Sequence, residues 1–124
     1  MIRAKLQTTL DAALHPNVLS YWQRKTGADA NEYIVYTQSG DNREDYADNK
    51  PMTKSATAVV RYYYRSELAN THTGRTAIEA RETAIETALE TAGFIIPGGK
   101  FDVGDVDDIG YNVTVFEIEL WRVV

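Results

Sequence analysis

The ten residues Ala56–Arg65 constrain this chain more than any other stretch: Ala-Thr-Ala-Val-Val-Arg-Tyr-Tyr-Tyr-Arg. β-Branched and aromatic side chains suit a pleated surface. Alternation sends Ala58, Val60, Tyr62 and Tyr64 to one face and Val59, Arg61 and Tyr63 to the other. Such a strand needs neighbours for its backbone and a layer over its apolar face. Tyr33-Ile34-Val35-Tyr36-Thr37 is a second strand of similar chemistry, and Val18–Trp22 is a shorter one before it. Phe94-Ile95-Ile96 begins another and breaks at Pro97-Gly98-Gly99. Tyr111–Val124 is the last, with Phe116, Ile118 and Leu120 facing one way and Glu117 and Glu119 the other. Val113 and Val115 share the side of the glutamates, and a bulge there would reconcile the two halves.

Two segments have helical period instead. In residues 2–14, Ile2, Leu6, Leu10, Ala13 and Leu14 fall on one face. His15 precedes Pro16, which pushes it out of the α region and ends the helix. The second helix is read over Ala77–Ala92, opened by the Thr76–Glu79 capping-box pair and stopped by Gly93. Its apolar arc is Ala77, Ala84, Ala88, Ala92, Ile78, Ile85 and Leu89, with Arg81 in the middle. Arg81 either lays its stem on the apolar surface and its head at the edge, or pairs with a strand carboxylate or a neighbouring subunit. Glu79, Glu82, Glu86 and Glu90 form an acidic ridge opposite, a solvated face or a docking face for a basic partner.

The resulting order, α-β-β-β-α-β-β, predicts an α+β fold. It is a two-layer sandwich with a mostly antiparallel sheet of about four to five strands and both helices on one face. At 124 residues the chain is read as a single domain over 1–124. One stretch stands outside the pattern. Ser39–Thr53 carries Gly40, Pro51, Asp41, Arg43, Glu44, Asp45, Asp48 and Lys50, with Lys54 just beyond. It has no face to bury and reads as a long, exposed, flexible loop, of a kind that is often functional. Arg43, Glu44, Asp45 and Tyr46 are its candidate contact residues.

Recognisable chemistry is sparse. The chain has no cysteine, which excludes disulfides, thiolate metal sites and thiol catalysis. His15 and His72 lie in no triad or metal spacing. Asp102, Asp105, Asp107 and Asp108 lack the calcium-loop spacing, and Gly98-Gly99-Lys100 lacks the phosphate-loop pattern. No catalytic residue, metal or cofactor is therefore assigned, and the chain is read as a non-enzyme. Charges in Met1-Ile2-Arg3-Ala4-Lys5 stand where a secretory signal needs an apolar core, and no apolar run would span a membrane. The expectation is synthesis in the cytoplasm. A net charge of −5 argues against phosphate-backbone binding. A small nucleic-acid-binding domain using residues 61–65 remains the rival reading, because Arg61-Tyr62-Tyr63-Tyr64-Arg65 combines stacking rings with cations.

The layout resembles the tail-terminator, or tail-to-head joining, proteins of long-tailed bacteriophages. It rests on the short helix Ile2–Leu14 and the strand through Val18–Trp22. Tyr33–Gln38 and Ala56–Arg65 follow, flanking a charged segment. An Ala- and Glu-rich helix comes next, then a closing hairpin that ends Phe116-Glu117-Ile118-Glu119-Leu120-Trp121. The likeness covers the whole chain in layout and carries no catalytic motif. It implies a structural virion protein that forms a homo-oligomeric ring, a hexamer in the virion and a monomer when free. The ring caps the tail tube protein and joins it to the head-completion or connector protein. The location implied is the tail and neck of the virion, with assembly in the host cytoplasm. It implies no membrane and no specific nucleic acid as partner. The segment Ser39–Thr53 would face the lumen or a neighbouring ring.

Overall fold

A computed structural model describes residues 2–15, 17–23, 25, 30–47, 50–105 and 110–123, with 40–47, 50–54 and 121–123 described in backbone only. The elements are α1 (Ile2–Leu14), β1 (Leu19–Trp22), β2 (Glu32–Ala47), β3 (Lys50–Arg65), a 3-10 turn (Ser66–Asn70), α2 (His72–Thr91), β4 (Lys100–Gly104) and β5 (Tyr111–Val123). The fold is α+β with the expected succession of helices and strands, but the fourth strand is Lys100–Gly104, past the Pro97-Gly98-Gly99 break, and of the expected Phe94–Ile96 strand Ile95 makes only an isolated bridge to Glu119. The strands form one sheet in the order β1-β2-β3-β5-β4. Only β1 and β2 run parallel, and the other three contacts are antiparallel.

Both helices cover the same face. Ile2, Leu6, Leu10 and Leu14 of α1 and Ile78, Ile85 and Leu89 of α2 pack on Ile34, Tyr36, Ala58, Val60, Tyr62, Tyr64, Phe116 and Ile118. Each of these strand positions has the parity that pleating assigns to one side. Ala13, placed on the buried face of α1 by period alone, is exposed. The i, i+4 leucine ladder already fills that seam. On the other side of the sheet lies a smaller cluster of Tyr33, Val35 and Tyr111, with Tyr21 and Tyr63 against it.

Three further expectations change. First, Ser39–Thr53 is not a loop. β2 runs to Ala47 and β3 starts at Lys50, paired through Asp41↔Ala56, Arg43↔Lys54 and Tyr46↔Pro51. A hairpin extending a well-anchored pair satisfies its own backbone, so it needs no apolar periodicity to announce it. A register shift at Ser39, between Gln38 and Gly40, marks where the covered sheet becomes this arm. Second, α2 begins at His72, not Ala77. Its cap is Thr71, whose side chain accepts from the Gly74 N–H at 3.0 Å. Thr76 Oγ1 instead bonds back to the His72 carbonyl inside the helix. Third, β5 has no bulge against β3, since Thr53↔Val123 through Arg65↔Tyr111 is one unbroken register. Val115 is buried on the outer face, so both halves of β5 keep apolar groups on opposite sides for good reason. The irregularity lies in β4, between Asp102 and Gly104.

The turn from β3 into α2 depends on one glycine. A Cβ on Gly74 would stand 1.8 Å from the Leu68 carbonyl oxygen, a backbone atom that cannot swing away. Glycine to alanine in a helix ordinarily stabilises by about 1 kcal/mol. Gly74→Ala should reverse that sign and cost about 1–3 kcal/mol, the range for overpacking. A urea unfolding midpoint equal to or above that of the parent would refute this contact.

Candidate functional site

The second helix is the first candidate surface, and its arc is rotated from the expected one. Ile78, Glu82, Ile85 and Leu89 are its buried residues. The helical spacing of Glu82 from Ile78 (i+4) and Ile85 (i−3) carries it to the sheet side. The alanines had drawn the predicted centre toward Arg81. Glu82 therefore leaves the acidic ridge. The Thr114 hydroxyl donates to Glu82 Oε2, and Lys100 Nζ lies 3.6 Å from Glu82 Oε1. Glu79 and Glu90 remain exposed, and Glu86 is half-buried beside them.

Arg81 sits at the border of the buried arc. Its Nε donates to Glu32 Oε1 at 3.1 Å, so it pairs with a strand carboxylate, one of the roles expected for it. The Tyr62 hydroxyl donates to the same Glu32 oxygen at 2.7 Å. Arg81, Glu32 and Tyr62 thus tie α2, β2 and β3 into one polar knot between the layers. Burial pushes the Tyr62 hydroxyl far above the ordinary phenol range, and the Glu32 hydrogen bond adds to that, with Arg81 opposing. Burial also raises Tyr36 and Tyr64. The Tyr36 hydroxyl donates to Gln7 of α1.

The outer sheet face is the second candidate. Within β3 alone, Tyr62 and Tyr64 point away from Tyr63, but neighbouring strands bring further rings to it. Tyr33 stacks on Tyr63 at 4.7 Å between centroids, with planes 12° apart. Tyr21 and Tyr111 meet Tyr33 edge-on at 6.4 and 5.4 Å. Lys25 lies over Tyr33 and Arg65 over Tyr111. The Tyr111 hydroxyl donates to the Ala30 carbonyl at 2.6 Å. This aromatic group was missed because no single strand carries it. It is a set of rings that use one another's faces, and Tyr33 and Tyr111 are only 8% and 9% exposed. A nucleobase platform needs ring faces open to the base.

The third candidate is the arm. Arg43, Glu44, Asp45 and Tyr46 follow one another along its β2 strand, opposite the Lys50–Lys54 stretch of β3. They are brought together with neither the α2 glutamates nor Arg81 in any described contact. A cleft of about 330 Å³ lies near the arm's base, lined by Ser39, Thr57, Val59, Pro97, Gly98, Glu117 and Glu119 among others. Its titratable groups are Glu117 and Glu119, and the Ser39 hydroxyl in it donates to Thr57 Oγ1 at 2.9 Å. Asp102 accepts from the Gly104 N–H at 3.0 Å, at the irregularity in β4, and Asp105 accepts from the Gly110 N–H at 2.9 Å. Asp107 and Asp108 lie outside the described residues. Among the described residues, no group of three or more His, Asp or Glu could hold a metal ion. Among the described residues, no helix is long and apolar enough to cross a membrane.

Two outcomes follow from the polar knot. A double-mutant cycle of Arg81→Met and Glu32→Gln should give a coupling of about 0.5 kcal/mol in monomer stability, because both groups are partly solvated. Zero coupling would detach Arg81 from Glu32. Raised tyrosine pKa values mean that the folded chain holds protons the unfolded chain releases. Stability should then be fully present below pH 10 and fall as pH rises beyond it. In an absorbance titration, Tyr36, Tyr62 and Tyr64 should ionise only together with unfolding. Ionisation of all tyrosines in a folded chain would contradict this burial. No protein-family model matches the chain and no curated protein matches it, so the three surfaces themselves carry the functional argument.

Proposed function

We propose that this chain is a tail-completion protein of a long-tailed bacteriophage, acting by assembly without chemistry. It forms a homo-oligomeric ring, hexameric in the virion, that caps the tail tube and joins it to the head-completion protein. It works in the neck of the virion after assembly in the host cytoplasm. The observation that carries this reading is the β2–β3 arm. From Gly40 to Ala47 it spans about 25 Å at strand rise, and its sequence carries Asp41, Arg43, Glu44 and Asp45. A hairpin of that length contributes little to a monomer's core and suits contact with other subunits. The α-β-β-β-α-β-β order over the whole chain supports the same family layout. The nucleic-acid reading has less support, because the outer tyrosines are occupied with one another and with Lys25 and Arg65.

Electron microscopy of the purified chain mixed with matching tail tubes tests the proposal. Rings at one end of each tube are expected. Bare tubes beside a persistent monomer would overturn it.

A further inference from the structure

The sheet is open on both sides at the same level. On one side, β1 pairs with β2 only as far as Trp22↔Tyr36. Among the described residues, no strand pairs with the outer edge of β2 from Gly40 to Ala47. On the other side, β4 covers β5 only over Val113–Phe116, and the Ile95 bridge extends that cover to Glu119. Among the described residues, no strand flanks β5 from Leu120 to Val123. Yet Leu120 pairs with Ala56, which pairs with Asp41, and Arg122 pairs with Lys54, which pairs with Arg43. This end of the sheet is thus a three-stranded ribbon, β2-β3-β5, with a free backbone edge on each side.

Free edges of this length are templates for another strand, and proteins that stay monomeric usually blunt them. Both other edge strands here are short, β1 with four residues and β4 with five and a register break. The β2 edge is longer: beyond its own register shift at Ser39 it runs for eight residues, Gly40–Ala47, and its charges are what a partner must match. Its sequence is acidic, with Asp41, Glu44 and Asp45 against Arg43, whereas the β5 end Leu120-Trp121-Arg122-Val123 has a cation and no acid. The two edges of one molecule therefore lie at the same level and carry opposite net charge.

We infer that a second copy of this chain occupies the β2 edge with its β5 edge, continuing the sheet from subunit to subunit. The inference deepens the ring reading and rests on it for closure. Because β2 and β5 both run antiparallel to β3, a neighbour that continues the sheet without turning over sets its β5 parallel to β2. Level pairing would place Arg122 beside Arg43. A stagger of two residues toward the arm tip places Arg122 beside Asp45 and Val123 beside Tyr46, clear of the break at Ser39. Stagger is what closing a sheet requires. The contact is heterologous, so repeating it yields a ring or an open filament, never a closed dimer.

Because the chain has no cysteine, engineered ones report cleanly. Tyr46→Cys and Val123→Cys are made in separate chains, then oxidised alone and as a mixture, with rings counted by electron microscopy. A disulfide-linked dimer in the mixture only is expected. Self-linking of either variant without the mixed product would reveal a two-fold contact and overturn the inference. Rings without the mixed product would overturn the edge contact and leave the ring reading standing. Absence of both rings and cross-links would overturn both. Hydrogen exchange on the unmodified chain gives a second measurement free of cysteine chemistry. Amides of Arg43–Tyr46 should gain protection in rings over monomer, and rings without that gain would also overturn the edge contact.

Discussion

The two-sided pairing of β3 is the constraint on which everything else depends. β3 holds β2 on one edge and β5 on the other, both antiparallel and both along nearly its whole length. A strand paired on both edges has no free backbone and can lend both faces to packing. Its inner face, Ala58, Val60, Tyr62 and Tyr64, is the floor on which α1 and α2 sit. Its outer face supplies Tyr63 to the aromatic cluster. β1 and β4 are attached only through β2 and β5, so the remaining strands hang on this central ladder.

The interlayer is not wholly apolar. Glu32, Tyr62 and Arg81 form one polar group, and Glu82, Thr114 and Lys100 another, both under α2. Leaving such groups buried without partners is costly, and here each carboxylate receives a hydroxyl and a cation. α1 and α2 are thus held differently. Four aliphatic residues and the Tyr36–Gln7 hydrogen bond seat α1, while α2 has three aliphatic residues and two charged polar groups that resist rotation about its axis. That anchorage explains why a helix so rich in alanine and glutamate has one defined azimuth.

Most of the sandwich was legible in the sequence, for reasons that can be named. Ala56–Arg65 and Tyr33–Thr37 alternate cleanly because both faces of the sheet bury something. Ile2, Leu6, Leu10 and Leu14 keep helical spacing because they fill one seam. The arm was illegible because periodicity detects burial, and residues 40–54 are paired without that signal. The start of α2 was hidden because His72-Thr73-Gly74-Arg75 carries no apolar group, and Gly74 is an unusual choice inside a helix unless space demands it. Of the candidate residues, Arg81 went to Glu32, a partner within its own chain. Glu82 went inward because the bulky Ile78, Ile85 and Leu89, rather than the small alanines, decide which side of a helix lies down. The outer tyrosine cluster was assembled by strand order, which no single segment reveals.

The central ladder also sets the order in which the chain acquires its structure. β2 ends at Ala47 and β3 begins at Lys50, close in sequence, so their pairing forms from local contacts. β5 must return from the far end of the chain to pair Thr114 with Tyr62, after α2 and β4 have been made. Contacts of that separation are slow to form. Until β5 arrives, the apolar edge of β3 stands open, and that interval is when misassembly threatens. The charges at Asp41, Arg43, Glu44, Asp45, Lys50 and Lys54 then act as gatekeepers on the nascent hairpin. They keep the hairpin soluble while it waits for its last strand.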